Sequence, residues 1–215
     1  MKKILAIMTV ITFLTFVACS SSPPKSNAVT TSVTTTIPRK ISLDDAPDIL
    51  DISLLLPSRY IEVDAASEKM SNKDMGLGSD FSEVQLYISD DPFQMIYGFM
   101  GIITSRLDAA IFDKQLRDES YIKDLIRESI LEGAKSEGGQ VTVPNLEATY
   151  PSIGDLAIWG VGDLESYGYY FGFSALFFRV NKVYVFLYSL SMTKDEVSLK
   201  LIAEEIEKRI GQFSQ

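Results

Sequence analysis

One thiol and no imidazole leave this chain of 215 residues a narrow chemistry. Without histidine there is no Ser-His-Asp triad, no Cys-His pair and no imidazole-ligated metal. The usual general acid or base titrating near neutral pH is missing as well. The single cysteine, Cys19, rules out an internal disulfide, a cysteine-rich zinc site and an iron–sulfur cluster. Carboxylate pairs for glycoside hydrolysis and Ser-Lys pairs for acyl transfer stand in no recognisable arrangement. Gly154-Asp155, Gly162-Asp163 and Asp90-Asp91 read as turn and cap chemistry. The expectation is a non-enzymatic protein with no cofactor.

Oxygen ligands offer one further possibility. Asn72, Asp74 and Gly76, closed by Glu83, have the alternation of a calcium loop. Leu77 stands where the sharp turn needs glycine, and Gly76 replaces a ligand, so no metal site is expected. Asp44, Asp45, Asp48 and Asp51 read as a solvated acidic approach to the folded domain. The formal charge of −9 argues against a nucleic-acid partner, which needs a basic footprint.

The richest patch is aromatic. Tyr169–Val180 and Lys182–Leu190 read as two strands joined tightly at Asn181. Side chains alternate across a strand, so Tyr184, Phe186 and Tyr188 share one face while Val183, Val185 and Leu187 share the other. Two readings follow. The hairpin is central and covered by helices on both sides. Alternatively, Tyr167, Tyr169, Phe171, Phe173, Tyr184, Phe186 and Tyr188 line a cavity for a lipid or other hydrophobic ligand, with tyrosine hydroxyls orienting its polar end. The run Phe93–Ile103 (FQMIYGFMGII), read as an apolar helix, would then serve as an adaptable cover.

The amino terminus specifies an address. Met1-Lys2-Lys3 precedes a charge-free apolar region of 14 residues, Ile4–Val17, too short for a spanning helix of roughly 20. Phe16-Val17-Ala18-Cys19 resembles the lipobox of bacterial lipoproteins, with Phe16 where leucine is usual. The resemblance implies cleavage before Cys19 and diacylglyceryl transfer to its thiol. It also implies a domain held outside the cytoplasm on the cell envelope by acyl chains alone. Each buried CH₂ of such a chain contributes about 0.8 kcal/mol. The membrane, reached through this lipid, is one expected partner; an unidentified protein or hydrophobic ligand is the other. An ordinary secretory signal and an uncleaved anchor stay open as other readings of the segment.

The elements must position these features. Residues 1–18 form the leader, and 19–47 the lipidated cysteine with a Ser/Thr/Pro-rich tether that has too little apolar content to fold. Residues 48–215 read as one domain. Ile49–Leu56, Phe81–Ile88, Leu156–Val161 and the two aromatic segments read as strands. A broken helix runs from Asp91-Pro92-x-Gln94 through Leu131. The box Thr193-x-x-Glu196 opens a last helix whose Leu199, Ile202, Ile206, Ile210 and Phe213 form one stripe. The fold class is α+β, a mostly antiparallel sheet covered by helices. The element order, with an early Leu56-Pro57 and a terminal helix after a hairpin, resembles PsbP-like α/β/α domains.

Overall fold

The computed structural model describes residues 40–63, 79–81, 85–90, 93–103, 105–136, 141–166, 169–192 and 198–213. The leader, Cys19, the tether to residue 39, Tyr167, the loop ending at Gly78, Glu83 and the box at Thr193 lie outside these residues.

Among the described residues, eight strands form one antiparallel sheet. They are β1 (Ile61–Val63), β2 (Ser79–Phe81), β3 (Gln85–Asp90), β4 (Phe93–Ile103), β5 (Val141–Thr149), β6 (Leu156–Ser166), β7 (Tyr169–Val180) and β8 (Val183–Ser191). Their spatial order is β1-β3-β4-β8-β7-β6-β5, and β2 pairs with β4 beyond the end of β3. This is the α+β, mostly antiparallel architecture expected from the sequence.

β8 shows why both faces need cover. Its six residues Val183 to Tyr188 alternate between the two sides, yet none is more than 4% exposed. On one side Val183, Val185 and Leu187 pack beneath α1 (Ala46–Leu50) and α4 (Leu199–Ile210). α4 buries Leu199, Ile202, Ala203, Ile206 and Ile210; of the stripe read from the sequence, Phe213 lies past the end of the helix and is partly buried against the same core. Each buried Leu or Ile contributes roughly 1.5–3 kcal/mol. Arg209, in the last turn of α4, donates to the carbonyls of Asp48 (3.1 Å), Ile49 (3.3 Å) and Asp51, closing the end of α1. On the other side lie α2 (Arg106–Leu116) and α3 (Glu119–Ser136). Ser105 caps α2 by accepting from the Asp108 N–H at 3.4 Å, and Asp118 accepts from the Tyr121 N–H at 3.1 Å at the start of α3. Leu116, Ile122 and Ile126 then pack on Ile158, Phe173 and Phe186. No helix among the described residues is long and apolar enough to cross a membrane.

Several elements differ from the sequence reading. Phe93–Ile103 is not a helix but the strand β4, paired on both edges. A strand buried on both faces is a continuous apolar run, which periodicity alone does not distinguish from a buried helix. Ile49–Leu56 is not a strand: α1 runs through Leu50 with Pro47 in its first turn, and Ser53–Leu55 forms a 3-10 turn. β5 is an additional strand. It is an edge strand, and its ladder shifts register between Thr142 and Asn145, where Pro144 has no N–H to contribute. β6 continues five residues past Val161 to Ser166. The last helix begins at Leu199, with Ser198 rather than Thr193 at its N-cap. Ala46 is buried, and Ile41 and Leu43 pack against the same core, so apolar packing reaches back into the segment read as tether.

Candidate functional site

The β7–β8 hairpin sits mid-sheet, turning at Asn181 with φ of 56°. Phe173, Tyr184, Phe186 and Tyr188 are brought together, all buried against the α2–α3 side. Phe186 meets Phe177 at 4.3 Å and Phe99 at 5.0 Å between ring centres. Tyr184 takes the ring of Phe112 edge-on at 4.5 Å. Phe171 is half-buried beside this cluster, whereas Tyr169 stands 60% exposed at the far end of β7. Tyr97, on the neighbouring β4, joins the same face and packs edge-on to Phe99 and Phe186. Its buried hydroxyl has no hydrogen-bond partner among the described residues, and burial raises its pKa above the ordinary value.

A charged network ties the hairpin turn to α2. Arg179 Nε donates to Asp113 Oδ1 at 2.9 Å, and its Nη1 donates to Asp155 Oδ2 at 3.0 Å and to the Asn181 carbonyl at 2.8 Å. The Asn181 N–H donates to Asp155 Oδ2 at 2.7 Å. Tyr184 donates to Asp113 at 3.2 Å; burial, then the Asp113 charge, raise the pKa of its hydroxyl. Every charge here has a structural partner, so the network reads as a clamp.

On the α1–α4 side, a polar row crosses the sheet. In register, Ser89 (β3) faces Gln94 (β4), Gln94 faces Ser191 (β8), and Ser191 faces Gly172 (β7). Gly172 faces Asp163 (β6), which faces Asn145 (β5). Ser189 and Ser174 face each other one step along. Ser89, Gln94, Ser174, Ser189 and Ser191 are at most 3% exposed. Gly172 is half-buried, and Asp163 and Asn145 are exposed. The row therefore passes from the interior to solvent.

Hydrogen bonds pin most of this row. The Tyr60 hydroxyl donates to Gln94 Oε1, and Gln94 Nε2 donates to Ser189 Oγ at 3.3 Å. Trp159 Nε1 donates to Ser174 Oγ at 2.7 Å, Ser191 Oγ to the Phe93 carbonyl at 3.4 Å, and Asn145 Nδ2 to Asp163 Oδ2 at 3.4 Å. Ser89 Oγ is buried and has no hydrogen-bond partner among the described residues. Among the described residues, a Cβ placed on Gly172 would meet nothing within 4 Å.

Sequence reasoning missed this row. Its members lie from residue 89 to residue 191, on strands of which two were not read as such. The visible signal was Ser189-Leu190-Ser191, polar residues alternating out of an otherwise apolar strand. Among the described residues no cluster of three or more Cys, Asp or Glu could hold a metal ion.

No protein-family model matches the chain, and no curated protein matches it. Among solved structures, the extracellular domain of PknH from Mycobacterium tuberculosis superposes with a TM-score of 0.48 at 9% identity, covering 81% of this chain and 98% of that one. A likeness that loose assigns no function.

Proposed function

We propose that the protein is a lipid-anchored, extracytoplasmic binding module that performs no catalysis. The observation that carries this reading is Phe16-Val17-Ala18-Cys19 at the end of the uncharged, largely apolar run that begins at Ile4, with the chain's only thiol at the processing position. Acylation there gives a lone cysteine a purpose, and two acyl chains suffice to hold a domain without a spanning helix. The domain suits such an anchor, since its core is assembled from Ile41 to Phe213, all of it downstream of Cys19. The reading is tested by Cys19→Ala. Wild-type protein takes up an alkynyl fatty acid and sediments with membranes, and the variant does neither. Retention of both by the variant would refute the anchor.

A second reading, a carrier of a hydrophobic ligand, is favoured by one observation. The buried Tyr97 hydroxyl lacks a partner in the aromatic layer, where a ligand's polar end would satisfy it. Tight helix cover over the aromatic face supports the first reading instead. Native mass spectrometry with organic extraction separates them, because a carrier brings a bound apolar compound with it.

A further inference from the structure

We propose that the outer edge of β5, from Asn145 to Thr149, takes up an extended segment of a partner protein in which Lys or Arg alternates with apolar residues. The proposal deepens the binding-module reading and rests on it.

β5 ends the strand order, and among the described residues no strand pairs with its far side. Such an edge presents backbone N–H and C=O groups with which another chain can pair. Native sheets blunt their edges with proline and bulges. Here both devices, Pro144 and the register shift between Thr142 and Asn145, sit toward one end of the strand. From Asn145 to Thr149 the ladder with β6 continues without a further shift, which leaves a regular stretch for pairing.

The two faces of this stretch fix the chemistry of the occupant. Leu146 and Ala148 lie on the α2–α3 side, where they pack against the core yet stay half-buried. Apolar residues at alternate positions of an added strand would extend that surface. Asn145, Glu147 and Thr149 lie on the opposite face and are exposed. In register with them on β6 are Asp163, Val161 and Trp159. Asp163 is exposed, and so is Val161, by 43%. Helix cover on that side is centred on β4, β7 and β8. Neither β5 nor β6 contains a basic residue, and between Lys135 and Arg179 the sequence has none, although Glu147, Asp163 and Glu165 fall there. Lys or Arg on an added strand would stand opposite Glu147, where opposite charges attract across the ladder and like charges destabilise it. Charge also argues against a second copy of β5. Antiparallel pairing of two copies would gather both Glu147 and both Asp163 carboxylates on one face, between chains that each carry a formal −9.

The test uses the full chain in a non-ionic detergent, which serves whether or not Cys19 is acylated. The probe is a fluorescein-labelled octapeptide alternating Lys and Val, read by anisotropy. Saturable binding is expected, weaker fivefold or more when the same residues are arranged as a Lys block and a Val block. Glu147→Lys changes an exposed side chain and should leave the thermal midpoint unchanged. It should weaken binding of the alternating peptide fivefold or more and admit a peptide alternating Glu and Val. Absence of saturable binding overturns the proposal, as does equal affinity for the block peptide or unchanged affinity in Glu147→Lys. A dimer in sedimentation that the peptide dissociates would assign the edge to a second copy and overturn it too. Each of these failures leaves the anchor reading standing, since acyl labelling decides that separately.

Discussion

The two buried tyrosines of β3 and β4 should answer the same substitution with opposite signs. Tyr97 and Tyr87 lie on opposite faces of the sheet, exposed 1% and 2%. The Tyr97 hydroxyl has no partner. Phenylalanine keeps the ring contacts with Phe99 and Phe186 and removes a desolvated polar atom whose burial costs about 1–3 kcal/mol. A gain of about 1 kcal/mol is expected. The Tyr87 hydroxyl donates to Asp51 Oδ1 at 3.2 Å and accepts from the Ile52 N–H at 3.3 Å. Tyr87→Phe strands that N–H and weakens the support of Asp51. Burial tends to raise the Asp51 pKa, yet bonds from Ser53 and Tyr87 and the Arg209 charge hold it below its ordinary value. Losing these bonds should cost about 1–3 kcal/mol. Urea unfolding at neutral pH measures both. With a slope of about 2 kcal/mol per molar urea, Tyr97→Phe raises the midpoint by about 0.5 M and Tyr87→Phe lowers it by at least as much. If Tyr97→Phe lowers the midpoint as Tyr87→Phe does, the hydroxyl has a satisfied environment and the reasoning fails.

Other perturbations give equally definite outcomes. Gly154 has φ of +58°, and a Cβ there would lie 2.2 Å from the Arg179 carbonyl oxygen. Gly154→Ala should therefore destabilise by at least about 2 kcal/mol in thermal or urea melts, and unchanged stability would show that the turn relaxes freely. Arg179→Met removes the ties to Asp113 and Asp155 from a side chain only 19% exposed, and should cost about 2 kcal/mol. A double-mutant cycle with Asp113→Asn should show coupling, whereas strict additivity would mean that the clamp holds nothing. Alkali should unfold the domain. Burial raises the pKa of Tyr87, Tyr97 and Tyr184 above the ordinary 10.0, with Asp51 and Asp113 adding to the first and last. Their stabilisation is complete below pH 10.0 and is lost as pH rises from there toward the folded values. Tyrosinate absorbance and loss of structure should then rise together; ionisation of all tyrosines in a still-folded domain would contradict this.

Local signals decided what could be read early. The α4 stripe repeats every three or four residues, so its buried face follows from helix geometry alone. Asn181 accepts a positive φ, which located the turn of the aromatic hairpin. Where burial is two-sided or absent, that logic fails. Phe93–Ile103 lies under helices on both faces and has no alternation, and the cap-like Asp91-Pro92-x-Gln94 suggested a helix instead. β5 failed for the opposite reason. As an edge strand it exposes Thr142, Asn145, Glu147 and Thr149 and carries Pro144, so it resembles a loop.

The sequence by itself determined the class of fold, and it alone carries the proposed address. A lipobox acts as a linear segment, so residue order is its whole content, and alternation together with helical spacing is enough for an α+β sheet under helices. Only the tertiary structure decided which polar residues meet. Ser89, Gln94, Asn145, Asp163, Gly172 and Ser191 belong to six strands, and no spacing along the chain relates them. Strand register relates them, and register is set by the hydrophobic pattern and pairing of the whole sheet. The same is true of Tyr97 and Tyr87, which sequence makes equivalent and which packing separates into an unsatisfied hydroxyl and a bonded one.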